Sequence, residues 1–140
     1  MEPITGNLTL DSWPILEWLK GRQPATQNFR GILDAAFEGR IQLAMSRINY
    51  GEVMYSIQKD FPSDRVRAAQ KAFQELRISY ISVDDGSVDE AAALKGVYTC
   101  SYADCFAAAL AMRSKTPLVT GDKEFRPLSA IGLQIVWVAE

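Results

Sequence analysis

Short apolar runs alternate with amphipathic stretches along the whole chain. Leu8-Thr9-Leu10, Ile41 to Met45, Ile78 to Val83, Leu118-Val119-Thr120 and Gln134 to Val138 are brief and bounded by turn-forming or capping residues. Each predicts a strand. Between them the apolar period lengthens to that of a helix. Pro14 to Lys20 predicts a short helix with proline in its first turn, stopped by Gly21-Arg22-Gln23-Pro24. Phe29, Ile32, Leu33, Ala36 and Phe37 recur at helical spacing, with Gly39 as the stop. Ser46 caps a helix carrying Ile48, Glu52, Tyr55 and Lys59, which ends near Phe61-Pro62. Ser63-Asp64 caps the next, with Val66, Ala69, Phe73 and Leu76 on its apolar face.

Two stretches have capping-box spacing. Ser87-Val88-Asp89-Glu90 opens a helix running toward Gly96, and Ser101-Tyr102-Ala103-Asp104 precedes the alanine-rich helix Cys105 to Arg113. Asp84-Asp85-Gly86 reads as a turn. Strands alternating with helices imply crossover connections. The expected fold is therefore α/β, one domain over residues 1–140, with a mostly parallel central sheet flanked by helices. No internal repeat or linker interrupts it.

Composition narrows the chemistry. At 140 residues, 48% hydrophobic and 23% charged, the chain suits an ordinary globular domain. No apolar run reaches the ~20 residues of a membrane span. Met1 to Thr9 lacks the basic region and apolar run of a secretion signal, so no membrane association and a cytoplasmic location are expected. The two cysteines, Cys100 and Cys105, are too few for a disulfide framework, and Cys105 reads as a small core residue. There is no histidine. Ser-His-Asp and Cys-His schemes are therefore excluded, which leaves carboxylates, hydroxyls, lysines or a bound metal. A net charge of −2 and a pI near 5.2 argue against a generally basic nucleic-acid surface, though not against a local patch.

Four acids stand where strands end or the following helices begin: Asp11, Glu52, Asp104 and Asp122. In a parallel sheet these places share the carboxyl edge, where ligands bind. Gathered there, four carboxylates raise one another's pKa unless a cation offsets them. Each has a plainer role as well. Asp11 suits a helix cap, Asp104 the acidic member of a capping box, and Asp122 a turn. Glu52 fits its plain role worst, because Ile48 and Tyr55 place it on what reads as an apolar stripe. One shared metal site accounts for all four. Arg47, Lys123 and Arg126 are candidate phosphate contacts with solvated faces as the alternative. Trp13, Trp18, Tyr50 and Tyr102 are candidates for base stacking, with core or dimer packing as the competing role.

Asn7-Leu8-Thr9-Leu10-Asp11-Ser12 resembles the opening "LDTS" segment of PIN-domain ribonucleases, and Ser46 to Val53 is similar to their "INxxE" helix. Ser101 to Ala109 resembles their "SxADxxxAA" helix, and Leu118 to Phe125 their "LVTxDxxF" segment. The four occur in the family's order and span nearly the whole chain. The length most resembles VapC-type toxins of toxin–antitoxin pairs. The resemblance implies a divalent-metal endoribonuclease with Asp11, Glu52, Asp104 and Asp122 as acidic quartet, and Ser12, Ser101 and Thr120 in support. Serine at position 12 departs from the usual threonine but keeps the hydroxyl.

The resemblance further implies Mg2+, with Mn2+ as a substitute, a structured RNA substrate such as tRNA or rRNA, a VapB-type antitoxin and a homodimer. The alternatives are a non-catalytic RNA- or partner-binding domain and a DNA-directed nuclease of the same fold. A receiver-like signalling domain fits poorly, since Asp11-Ser12 lacks that class's paired acids.

Overall fold

The computed structural model describes residues 6–140. Residues 1–5, which the domain and secretion-signal readings include, lie outside that range. The chain runs β1 (Gly6–Leu10), α1 (Ser12–Lys20), α2 (Ala25–Phe37), β2 (Ile41–Ser46), α3 (Arg47–Asp60), α4 (Val66–Gln74), β3 (Ile78–Ile81), α5 (Asp85–Lys95), α6 (Tyr102–Ser114) and β4 (Leu118–Thr120). A 3-10 segment, Lys123–Ile131, then leads to β5 (Ile135–Trp137). The five strands form one sheet in the order β3-β2-β1-β4-β5, and every pairing is parallel.

Strand alternation feeds two separate cores. Val119 joins Leu8, Leu10, Leu43 and Met45 in a cluster completed by Ile15, Phe29, Ile32, Val53, Ile57 and Phe73 from α1 to α4. Its neighbour Leu118 points to the other face, into a cluster with Ala91, Cys105, Ala108, Phe125 and Leu128 from α5, α6 and the 3-10 segment. Successive side chains on a strand take opposite faces, so a sheet covered on both sides needs nearly continuous apolar strands. β4 comes nearest, with Leu118, Val119 and Thr120 all buried, whereas polar residues such as Thr9, Gln42 and Ser79 alternate with apolar ones in β1, β2 and β3. The alanine run of α6 lets that helix approach the sheet closely, and Ala107, Ala108 and Ala111 are fully buried.

The order also places a topological switch point. The chain moves from β1 outward through β2 to β3, then returns to the other side of β1 as β4 and continues to β5. Connections leaving β1 and β4 therefore diverge, and the crevice between their carboxyl ends is where ligands bind in open α/β sheets. Asp11 follows β1 and Thr120 ends β4, so both stand at that crevice.

Several elements differ from the sequence expectation. β3 stops at Ile81, two residues before Val83. Asp84 is not in a simple turn; it caps α5, accepting hydrogen bonds from the Ser87 backbone N–H and hydroxyl, each at 2.7 Å. Ser87 thereby becomes a donor inside the helix, and no box forms with Glu90. α4 begins beyond Ser63-Asp64 with Arg65 at its cap position and no side-chain cap. On α3 the buried stripe is Asn49, Val53 and Ile57, while Tyr55 is 60% exposed. Phe37 is also exposed, at 70%, with the Arg77 guanidinium 4.9 Å from its ring centre.

Candidate functional site

Asp11 occupies the N-cap position of α1 yet makes no side-chain capping bond. Its carboxylate is buried, 1% exposed, and Oδ2 accepts a hydrogen bond from the Thr120 hydroxyl at 2.8 Å. Oδ1 is buried without a partner among the described residues. A buried, half-satisfied carboxylate is costly as an anion. Burial first, then the charges of Asp104 and Glu52, push Asp11 up to about 8, against the Thr120 hydrogen bond, which lowers it.

Asp104 sits at the third position of α6 and does complete the capping box. Ser101 Oγ accepts from the Asp104 N–H at 3.1 Å, and the Ser101 N–H donates to Asp104 Oδ2 at 3.3 Å. The capping and functional readings of Asp104 are thus compatible, because the box fixes the carboxylate at the helix mouth. Burial, followed by the Asp122 charge, pushes it up to about 6. Asp122 caps the 3-10 segment, with Oδ1 accepting from the Glu124 N–H at 2.9 Å, and its own N–H donates to Thr120 Oγ1 at 3.1 Å. Glu52, half-buried on α3, is held by the Ser12 hydroxyl, which donates to Oε1 at 2.6 Å.

All four acids line one cavity of about 480 Å³, together with Ser12, Trp13, Leu16, Thr99, Ser101 and Glu124. Each of the three expected hydroxyls is bonded to one of three acids: Thr120 to Asp11, Ser12 to Glu52, and Ser101 within the Asp104 box. The donor set is all oxygen, which suits a hard divalent cation. The carboxylates are nevertheless spread around the cavity. Among the described residues no group of three or more acidic or cysteine side chains is drawn into a closed metal cage.

The sequence did not point to Leu16 and Thr99 in the lining, and it gave Asn49, the asparagine of the "INxxE" resemblance, no role. Asn49 is fully buried and donates from Nδ2 to the Ala103 carbonyl at 3.1 Å, tying α3 to the first turn of α6. Its place on the helix face of Val53 and Ile57 was the available signal. Of the basic candidates, Arg47 lies over Tyr50, 4.5 Å from the ring centre, and Arg126 meets Glu140 at 3.7 Å. Cys100 and Cys105 are buried, their sulfurs 3.5 Å apart, and burial pushes Cys105 up to about 12, as befits inert core thiols.

A doubly wound α/β domain with a carboxylate-lined crevice at its switch point is the class these features define. The chain belongs to the PIN domain family, whose pattern matches residues 8–130. Its fold is similar to VapBC2 from Rickettsia felis, bound to a DNA fragment from its promoter, with a TM-score of 0.69 at 15% identity, covering 93% of this chain and 97% of that one. A toxin–antitoxin complex from Klebsiella pneumoniae matches with a TM-score of 0.64 at 23% identity, covering 95% and 98%. VapC20 from Mycobacterium tuberculosis, a Sarcin-Ricin loop cleaving toxin, matches with a TM-score of 0.69 at 12% identity, covering 90% and 95%. No curated protein showed significant sequence similarity. Among the described residues no helix is long and apolar enough to cross a membrane.

Proposed function

We propose that the protein is a divalent-metal-dependent endoribonuclease that acts as the toxin of a type II toxin–antitoxin pair. The observation that carries this reading is the unpartnered, buried Oδ1 of Asp11 within a cavity lined by three further carboxylates of the family motifs. An anion so placed lacks a counter-charge, and Mg2+ or Mn2+ is the counter-charge that an all-oxygen set selects. Asp11 and Asp104 would hold the main ion, with Glu52 and Asp122 completing its shell or orienting the attacking water. When bound, such a metal lowers the pKa of a coordinated water and offsets charge building on the phosphate.

The protein's own groups do the positioning. Thr120 holds one oxygen of Asp11 and leaves the other free. Ser12 orients Glu52 from the neighbouring helix. The Ser101 box sets Asp104 at the helix terminus, whose dipole favours an anion. With no histidine in the chain, proton transfer falls to carboxylates and water. Membership of the PIN family and likeness to a Sarcin-Ricin loop cleaving toxin support RNA as substrate, with tRNA or rRNA as the class. Likeness to toxin–antitoxin complexes supports a VapB-type antitoxin as partner. A homodimer built on helices and a cytoplasmic location belong to the same reading.

A mixed pool of tRNA and rRNA incubated with Mg2+ or Mn2+ tests it, beside Asp104→Asn and a chelator control. Discrete fragments that vanish in both controls are expected. Fragments that survive Asp104→Asn count against the site. The spread of the carboxylates favours a second reading, a non-catalytic PIN domain that binds RNA or a protein partner. Stable RNA binding without cleavage at any metal concentration would establish that one. Matched DNA oligonucleotides in the same assay separate a DNA-directed nuclease.

A further inference from the structure

The cavity that gathers the carboxylates has an apolar wall that the proposed chemistry does not use. Trp13 and Leu16 line it beside the acids, three residues apart and therefore on one face of α1. The Trp13 indole is half-buried, and its six-membered ring lies against the Gly121 backbone. A Cβ built on Gly121 would fall 2.2 Å from Cζ3, 2.3 Å from Cη2 and 2.7 Å from Cε3 of that ring. Only glycine admits so close an approach. The indole is thus seated between α1 and the loop after β4, next in sequence to Ser12 and in contact with the residue before Asp122.

Charge explains what such a wall would do. Asp11, Glu52, Asp104, Asp122 and Glu124 all line the cavity, and no lysine or arginine does. A phosphodiester chain entering it meets repulsion that a metal offsets only locally. Arg47 is spread over Tyr50 and Tyr80, and Arg126 sits between Glu140 and the Trp137 ring. Lys123, exposed beside Asp122, is the remaining candidate cation and stands outside the cavity lining, so uncharged contacts inside the cavity must contribute to affinity for the nucleotide beside the reacting phosphate. An indole already immobilised by packing loses little entropy when a base stacks on it.

The geometry points to Trp13 as a base-stacking wall for a nucleotide adjacent to the scissile phosphate, so that the substrate must present an unpaired base there. The inference rests on the nuclease reading above and adds a specificity residue to it. A base inside a duplex is stacked on both faces and offers no free surface to the indole. Stacking of this kind tolerates any base, so Trp13 selects strandedness instead of sequence.

Binding in the full-length Asp104→Asn protein, which suppresses turnover, provides the test. Fluorescence anisotropy would follow a labelled mixed-sequence single-stranded oligoribonucleotide, its duplex and the matching single-stranded DNA, all with Mg2+. Trp13→Ala and Trp13→Leu are expected to weaken single-stranded RNA binding by about 5- to 150-fold, the range for loss of one base–aromatic stack. Trp13→Phe keeps a ring and should retain most of the affinity, and duplex binding should be unaffected. In the otherwise wild-type enzyme, Trp13→Leu should raise KM while leaving kcat nearly unchanged, because stacking serves substrate and transition state alike. Leucine conserves apolar cover over Gly121, and matching circular dichroism and melting of the leucine and phenylalanine variants separate stacking from packing.

Unchanged single-stranded RNA binding in Trp13→Ala and Trp13→Leu, or equal loss in all three variants, overturns the assignment. RNA binding that ignores Trp13 removes the wall and leaves the ribonuclease reading standing. Trp13-dependent binding of DNA alone keeps the wall and removes the ribonuclease reading. Binding of neither polymer removes both.

Discussion

Asp11→Asn offers the sharpest test of the site's electrostatics, because asparagine keeps the shape and the acceptor for the Thr120 hydroxyl while removing the charge. In the metal-free protein the Asp11 carboxyl is pushed from 3.8 to about 8, chiefly by burial and then by Asp104 and Glu52. A raised carboxyl pKa means that the folded state holds a proton which the unfolded state releases. Stability is therefore fully present below the unfolded value near pH 4 and is lost as pH rises toward the folded value near 8. At pH 7 the gap spans about three pH units, or roughly 4 kcal/mol at 1.36 kcal/mol per unit. In chelator at pH 7, Asp11→Asn should thus exceed the wild type by up to about 4 kcal/mol, or roughly 14 °C in Tm for a domain of this size. At pH 4 the two should melt within about 0.5 kcal/mol of each other. Saturating Mg2+ narrows the gap from the wild-type side, by about 2.7 kcal/mol at a hundredfold excess over Kd. Urea melts from pH 4 to 9, with chelator or Mg2+, measure all of this. A pH-independent difference, or a wild type more stable than the variant in chelator at pH 8, would refute the reasoning.

The other predictions concern the supports and the ion. Ser12→Ala removes the hydroxyl that holds Glu52 Oε1; cleavage should fall at least tenfold while urea melts shift by about 1 kcal/mol. Gly121→Ala drives a Cβ into the Trp13 ring and should cost about 1–3 kcal/mol by overpacking. Most of that loss should disappear in the Trp13→Ala background, which a double-mutant cycle reads directly. Divalent-metal affinity should rise between pH 6 and 8 as Asp104, near 6, and Asp11, near 8, surrender protons to the ion. Titration calorimetry in buffers of different ionisation enthalpy should report that proton release, and metal binding without it would contradict the shared site.

Local signals carried the strands and most helices because each element announces itself within a few residues. Leu118-Val119-Thr120 reads as a buried strand from its own composition, and it proves to feed both cores. The Ser101–Asp104 box was legible for the same reason, since both of its hydrogen bonds join residues three apart. Legibility failed where two local options competed. Asp84 and Ser87 both suit a helix cap, and Asp84 prevailed by accepting two hydrogen bonds from Ser87. The 3-10 segment also went unread. Pro127 lies inside it and its two buried residues, Phe125 and Leu128, are too few to announce a period. On α3 the stripe was misplaced by one position, onto Ile48 and Tyr55, because the buried asparagine Asn49 interrupts the apolar register of Val53 and Ile57.

The site divides along the same line. That four acids lie at one sheet edge followed from parallel topology, but what each does to the others did not. The Ser12–Glu52 bond joins residues 40 apart and the Thr120–Asp11 bond residues 109 apart. These are the contacts that turn a row of carboxylates into distinct groups. One is buried and half-bonded, one is set by a helix cap, and one is held from a neighbouring helix. The distinction matters for the proposed chemistry, since a metal needs deprotonated ligands and, of the two buried acids, the less buried gives up its proton first. Asp104, near 6, is ready at neutral pH; Asp11, near 8, is ready only once a cation is close. An ion arriving at Asp104 would thereby ionise Asp11 in its turn. In the proposed site, the depth of burial at the switch point, which no local motif encodes, would set the order in which the ligands ionise.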